Sequence, residues 1–330
     1  LELFISAIVF VLEMKRVFLA ASFFLVISVP TFGQIEPSST RVISADPSAG
    51  FFYPYYLFVP KTAAPAGSQK VEKPILVSTN NTGTTNDDLS VHEANVKRRI
   101  AQMALAFGKL GVPILMPVFP RSSSEWTIYT HALDRDTLIT DKKELKRLDL
   151  QLAAMIDDAR KRLAEEKMPT DRRVLIYGFS AAGMFANRFA FLHPERVKAA
   201  AIGSPGGWPI IPKGEHKSRM LRFPIGTADL ETVAGRKLNI DQLRKVRFLI
   251  FMGDKDENDS VVFKDGYEPE DTDLIFELFG KTPLERWATA KRSYADAELS
   301  AEFRLYANIG HTMTPAIIGD VAAFLDSAMQ

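Results

Sequence analysis

From Tyr55 onward the apolar positions of the chain fall into two alternating periods. Short runs that are apolar at nearly every position predict strands at 55–60 (YYLFVP), 74–79 (PILVST), 112–120 (VPILMPVFP), 173–178 (RVLIYG), 197–204 (VKAAAIGS) and 247–253 (RFLIFMG), with a last one in 301–307 (AEFRLYA). The later runs are apolar on both faces, as strands must be when helices cover a parallel sheet on both sides. Between the runs, apolar residues recur three and four apart. Leu145, Leu148, Leu152, Met155, Ile156, Ala159 and Leu163 predict a helix over 141–167, with Asp141 and Glu144 as a capping pair. Val96, Ile100, Met103 and Phe107 do the same one unit earlier. Near the C-terminus Thr314 reads as an N-cap and Pro315 as a first-turn proline, with Ile318, Val321, Phe324 and Leu325 as the buried stripe.

Strand–helix alternation of this kind predicts one α/β domain over 51–330 built on a mostly parallel central sheet flanked by helices. Two stretches, 207–246 and 258–297, are longer than a crossover helix requires. They read as lid-like insertions over the edge of the sheet where ligands bind in such folds.

The first fifty residues do not join the alternation. Lys15 and Arg16 precede an apolar core at 17–29, which ends in the small-x-small sequence Thr31-Phe32-Gly33. That is the layout of a bacterial secretory signal peptide at 14–33, so a secreted or periplasmic protein beginning at Gln34 is expected. The apolar core is too short to span a bilayer comfortably, and no stable membrane anchor is expected after cleavage. Residues 1–13 then read as an upstream extension with Met14 as the start. The segment 34–50, rich in Ser, Pro and Gly, reads as a tether or an irregular first strand.

Composition narrows the function. With 330 residues, 46 % of them hydrophobic, the chain has enough apolar material for a core that stands without cross-links. It has no cysteine, which excludes disulfides, a thiol nucleophile, thiolate metal sites and a lipidated-cysteine anchor. The formal net charge is +1 and the basic residues are scattered, so no nucleic-acid partner is expected. Charge runs such as 141–147 (DKKELKR) read as solvated helix faces.

The chemistry concentrates at 174–183, VLIYGFSAAG. A buried strand that gives way to a helix at Ala181 leaves a very tight turn, where a bulky side chain two residues either side of Ser180 would collide with the neighbouring strand or helix. Gly178 and Ala182 hold those positions, and Gly183 follows. Such a turn lifts the serine clear of the sheet and aims the unpaired N–H groups of the helix at whatever attaches to its oxygen. A serine hydroxyl is a poor nucleophile unless a base takes its proton and a carboxylate orients that base. His311 follows the last predicted strand, and GDKDENDSV follows 247–253, offering Asp254, Asp256 and Asp259. Among the other histidines, His193 reads as the end of the serine's helix, while His92 and His216 have no partner pattern. Asp254-x-Asp256-x-Asn258 opens like a calcium loop, but Asp259 stands where that loop needs Gly and Asp265 where it needs Glu. No metal and no organic cofactor is implied.

Gly178-Phe179-Ser180-Ala181-Ala182 resembles the nucleophile elbow of the α/β-hydrolase superfamily, with Ala182 in place of the usual last glycine. The resemblance implies a triad in the order serine, acid, histidine: Ser180, Asp256 in the Gly-x-x-Asp pattern, and His311. Asp254 and Asp259 remain runners-up for the acid. It also implies an oxyanion hole made by the backbone N–H of Ala181 and a donor from the loop after 74–79. Many relatives carry His-Gly in that loop, whereas this chain has TNNTGTTNDD; Asn81 and Thr82 are the candidates, with Gly83 allowing the turn. Trp126, Tyr129, His131 and Trp208 near the expected edge are candidates to line an acyl or aromatic pocket. The short chain and the 55–60 strand are most similar to exported esterases related to polyhydroxyalkanoate depolymerases and feruloyl esterases. The expectation is therefore a secreted serine hydrolase that cleaves a small or polymeric carboxylic ester through an acyl-enzyme. A peptidase with the same triad, and a catalytically silent binding protein on the same fold, are the alternatives.

Overall fold

Residues 40–61, 72–81, 84–263 and 265–330 are described by the computed structural model. The upstream extension, the signal segment, the start of the tether, and Thr82 with Gly83 lie outside the described residues.

After the partly exposed β1 (Thr40–Ile43), the apolar runs form the strands β2 (Tyr55–Phe58), β3 (Leu76–Val77), β4 (Ile114–Pro117), β5 (Val174–Phe179) and β6 (Val197–Gly203). After a small hairpin, β7 (Glu215–His216) and β8 (Arg219–Met220), come β9 (Arg247–Gly253) and β10 (Ala301–Tyr306). Eight of them make one sheet in the order β1-β2-β4-β3-β5-β6-β9-β10. The β1–β2 and β2–β4 pairs are antiparallel; every other pair is parallel.

The longer helices are α1 (Leu89–Phe107), α2 (Leu148–Glu165), α3 (Ala181–Leu192), α4 (Pro269–Phe279), α5 (Pro283–Asp296) and α6 (Pro315–Ser327). They cover both faces of the sheet, and the period of two along each strand divides the core accordingly. Val174 and Ile176 of β5, with Phe248, Ile250 and Met252 of β9, join α2, α3 and α5. Leu175 and Tyr177, with Leu249 and Phe251, join α1 and α6 on the other face. Residues apolar on both sides were needed because neither face of these strands meets water.

Of the two readings of 34–50, Thr40–Ile43 is a strand, pairing with Tyr55–Phe58 at the edge of the sheet. One predicted helix begins later than its periodicity suggested. α2 starts at Leu148, and Asp141 with Glu144 does not cap it. The preceding residues close a turn instead, with the N–H groups of Leu145 and Lys146 both donating to Lys142 O. Arg147 then takes φ 53°, so the helical path begins only after it. Leu145 is still buried, which is why it fitted the apolar stripe. At the C-terminus Thr314 accepts from Ile317 N and Pro315 opens α6 as expected, but the buried stripe is Ile317, Val321 and Leu325, with Ile318 and Phe324 half-buried.

The first excursion carries the β7–β8 hairpin and the second carries α4 and α5. They pack on one another: Trp208 stacks on Phe279 with ring centroids 4.3 Å apart, and Arg222 Nε donates to Asp271 Oδ1 at 2.6 Å.

The serine's helix is pinned at its far end by buried charge. His193, just past α3, donates through Nε2 to Asp149 Oδ2 at 2.8 Å, and Arg147 reaches both Asp149 oxygens at 2.9 and 2.8 Å. Burial alone would raise the Asp149 pKa, but the bonds from His193 and Arg147 outweigh it and bring it down to about 2. A folded value below the unfolded 3.8 stabilises the fold above that value and is lost as pH falls from near 4 toward 2. The contribution is roughly 2–3 kcal/mol at neutral pH. Urea midpoints followed over that range are therefore expected to fall in the wild type, and to fall less in Asp149→Asn, which is already weakened at neutral pH.

Candidate active site

The parallel strands all point their C-terminal ends at one edge, and the chemistry-bearing residues sit just past those ends: Ser180 after β5, Ser204 after β6, Asp256 after β9 and His311 after β10.

The elbow is as tight as its composition suggested. A Cβ on Gly178 would lie 1.9 Å from Ala182 O, and one on Gly183 would lie 2.5 Å from Gly203 O. Ser180 has φ 62° and ψ −129°, a conformation that costs a non-glycine residue about 1–3 kcal/mol. Its N–H donates to Gly203 O at 2.9 Å. The side chain does not cap α3, the ordinary task of a serine at a helix start. Ser180 is half-buried at the edge and immediately precedes α3, whose first-turn N–H groups have no partner within the helix.

His311 reaches the same edge because its loop is clamped to the loop carrying the aspartates. Asp254 N donates to Tyr306 O at 3.0 Å and Lys255 N to Ile309 O at 2.9 Å. Asn308 N donates to Asp254 Oδ1 at 2.7 Å. Gly253 allows the crossing, since a Cβ there would lie 1.9 Å from Ile309 O. His311 Nδ1 lies 3.0 Å from each oxygen of Asp256. With Nδ1–H donating to a carboxylate, Nε2 carries the free lone pair. The imidazole packs on the ring of Phe179, centroids 4.7 Å apart, so it stands beside the residue that precedes Ser180.

Asp256 is 5 % exposed. Burial raises its pKa, but the bonds from His311 and the Asn258 N–H more than offset that, and the net shift is downward. The Ser204 hydroxyl adds to the lowering by proximity, although it is buried outside good hydrogen-bonding geometry. The other two aspartates go elsewhere. Asp254 holds the Asn308 N–H, and Asp259 takes Arg286 Nη1 and Nη2 at 3.0 and 2.5 Å. The three do not converge as a calcium loop would require.

Asn81 Nδ2 donates to Phe179 O at 3.2 Å, which ties the loop after β3 to the strand end carrying Ser180. Ala181 opens α3 directly after the serine.

The aromatic candidates do not form a common wall. Trp208 is 1 % exposed, stacked in the core with its Nε1 donating to Ile225 O. His131 is fully buried, and Tyr129 is buried beneath the Arg121 guanidinium, 3.9 Å from its ring centroid. Trp126 is exposed at the surface. In place of the expected pocket lining, three are buried packing residues: Trp208 against Phe279, Tyr129 against Arg121, and His131 against Asn80 and His92. A small cavity adjoining Ser204 and Asp256 is instead lined by Pro205, Pro209, Met252, Pro283 and Trp287. His92 and His216, without a sequence pattern, are respectively a buried residue bonded to Asn86 O and a hairpin residue against Phe279.

Phe179 and Ser204 were not singled out by sequence reasoning, and Gly253 entered only as the glycine of the Gly-x-x-Asp pattern, without the backbone crossing it allows. Phe179 was the variable residue of the elbow, and only the elbow spacing hinted at it.

No protein-family model and no curated relative matches the chain. Solved structures do. Poly(aspartic acid) hydrolase-1 from Sphingomonas sp. KT-1 is 17 % identical with a TM-score of 0.54, over 87 % of this chain and 97 % of that one. LpqC, a poly(3-hydroxybutyrate) depolymerase from Bordetella parapertussis, is 19 % identical with a TM-score of 0.54, over 86 % and 89 %. At this identity the likeness is one of fold: the chain has the α/β-hydrolase fold, and both neighbours are hydrolases built on it.

Proposed function

We propose that the protein is a serine hydrolase acting on carboxylic esters. One observation carries the reading. A strained serine that does not cap its own helix stands at the same strand edge as an imidazole held by a buried, ionised carboxylate.

Ser180 Oγ attacks the ester carbonyl while His311 Nε2 takes its proton. The carbonyl oxygen becomes an oxyanion, held by the Ala181 N–H and by a donor from the loop after β3, each worth about 3–4 kcal/mol in the transition state. Because the Asn81 side-chain amide already serves Phe179 O, the backbone N–H of Asn81 or Thr82 suits the second role. Collapse of the tetrahedral species breaks the bond to the alcohol, which leaves with the proton from His311. Water then attacks the acyl-enzyme with His311 again as base, releasing the acid and restoring Ser180. Asp256 keeps the imidazole in the tautomer that leaves Nε2 free throughout. Export with removal of 14–33 is part of the same proposal, resting on the basic-then-apolar pattern of that segment.

The test is labelling of the folded protein with a fluorophosphonate probe. The expected result is one adduct, mapped to the peptide containing Ser180 and slowed by short-chain p-nitrophenyl esters. Folded protein that stays unlabelled would favour a silent binding protein on this fold.

A further inference from the structure

The donor expected from the loop after β3 needs something to hold it, since β3 is paired over only two residues, Leu76 and Val77. Past Val77, the next backbone bond to the sheet runs from Ser78 N to Leu115 O at 3.1 Å. Beyond that, side chains anchor the loop. Asn80 is fully buried, and its Nδ2 lies 2.7 Å from Phe119 O and 2.9 Å from His131 Nε2. His131, also fully buried, has that same Nε2 at 2.9 Å from Phe119 O.

One ring nitrogen cannot donate to a carbonyl and accept from an amide together. The Asn80 amide nitrogen carries two hydrogens, and a carboxamide oxygen in its place would face Phe119 O. Asn80 Nδ2 donates to Phe119 O, and the neutral His131 ring joins the same cluster through Nε2, as acceptor from Asn80 or donor to Phe119 O according to its tautomer. Burial pulls the His131 pKa down to about 3, so the ring stays neutral and keeps this bond over any working pH. On the next residue, the Asn81 amide binds Phe179 O beside Ser180. The far end of the loop is fixed to the same strand exit, with Asn86 N donating to Arg121 O at 2.8 Å.

We propose that Asn80 and His131 are positioning residues for the oxyanion donor, holding the loop after β3 against the Phe119 carbonyl so that its backbone N–H faces the oxygen bound at Ser180. This rests on the ester-hydrolase reading above and adds to it. Neither side chain touches substrate. Their loss displaces a donor that matters only once charge has developed, so it lowers kcat rather than substrate binding.

The experiment measures p-nitrophenyl butyrate kinetics for Asn80→Ala, His131→Phe, His131→Gln and the Asn80→Ala/His131→Phe double variant, with thermal midpoints as a folding control. Asn80→Ala and His131→Phe are each expected to lower kcat about 10–100-fold with KM within about twofold. His131→Gln, which keeps an acceptor, should retain more activity than His131→Phe. The double variant should lose no more than the worse single one, because both act through one bond. Affinity for a trifluoromethyl ketone, which presents an oxyanion when bound to serine, should fall by the same factor as kcat. The pH profile should keep its wild-type shape. Folded variants with unchanged kcat, losses that multiply, or undiminished ketone affinity would overturn the assignment while leaving the hydrolase reading standing. If the phenylalanine variant fails to fold, Asn80→Ala and His131→Gln decide it. A folded wild type inert toward esters and the ketone would remove both proposals together.

Discussion

Ser180→Ala is expected to lower p-nitrophenyl ester turnover by roughly a millionfold and Asp256→Asn by roughly ten-thousandfold, with thermal midpoints near the wild type. The first change removes the oxygen that forms the covalent bond. It leaves the elbow itself alone, because alanine at φ 62° bears the same strain as serine and no capping bond is lost. The second keeps shape but turns an acceptor into a side chain with an N–H₂ group. His311 Nδ1, 3.0 Å from both Asp256 oxygens, then meets a donor as readily as an acceptor, and the tautomer with Nε2 free is no longer enforced. The residual rate comes from binding and the oxyanion donors. Steady-state kinetics on purified variants, with thiol- and contaminant-free controls, measure both losses; turnover retained by Ser180→Ala would remove that residue as nucleophile.

The pH dependence has a definite sign. Asp256 has a lowered pKa, so its carboxylate stays ionised well into acid and supports the imidazole until pH falls through that lowered value. Only a neutral imidazole accepts the serine proton. In the wild type kcat/KM is expected to be higher at neutral than at acid pH, because acid removes the neutral base while the lowered pKa of Asp256 keeps its carboxylate ionised. A flat profile from mildly acid to neutral pH would count against His311 as base.

Gly178→Ala has the second large effect, on folding as well as activity. The added Cβ would lie 1.9 Å from Ala182 O and 2.2 Å from its carbonyl carbon, both backbone atoms that no rotamer change can move. Relief requires β5 and α3 to separate at the point where the elbow is formed. The loss of stability is expected to exceed the roughly 1–3 kcal/mol of ordinary overpacking, with fluorophosphonate labelling lost in whatever protein folds. Gly319→Ala in α6 is the matched control. Nothing lies within 4 Å of a Cβ at that position, and it sits inside a helix. The same chemical change there is expected to stabilise by roughly 0.5–1 kcal/mol. Denaturant midpoints of the two variants should therefore move in opposite directions from the wild type.

The sequence by itself determined what depends on a few neighbouring residues. Strands buried on both faces showed as unbroken apolar runs, and α1 as a stripe three and four apart, because side-chain direction repeats with the backbone. The elbow was readable for the same reason: Gly178, Ser180, Ala182 and Gly183 are close in the chain, and the collisions they avoid are with their own turn and the adjacent strand end. What lay between distant segments was decided only in the tertiary structure. Three aspartates within six residues were open as partners for His311. The Gly-x-x-Asp spacing already favoured Asp256; what the tertiary structure added is how the loop after β10 crosses Gly253 and brings His311 onto that carboxylate. The late start of α2 came from Arg147 turning to grip Asp149 and leading the chain through a left-handed residue. Trp208 and His131 looked like pocket residues until the insertions and the loop after β3 closed over them. Periodicity and local sterics are written in consecutive residues; which of several similar side chains meets a partner fifty or more positions away is set by the paths of both backbones, and those exist only once the sheet has formed.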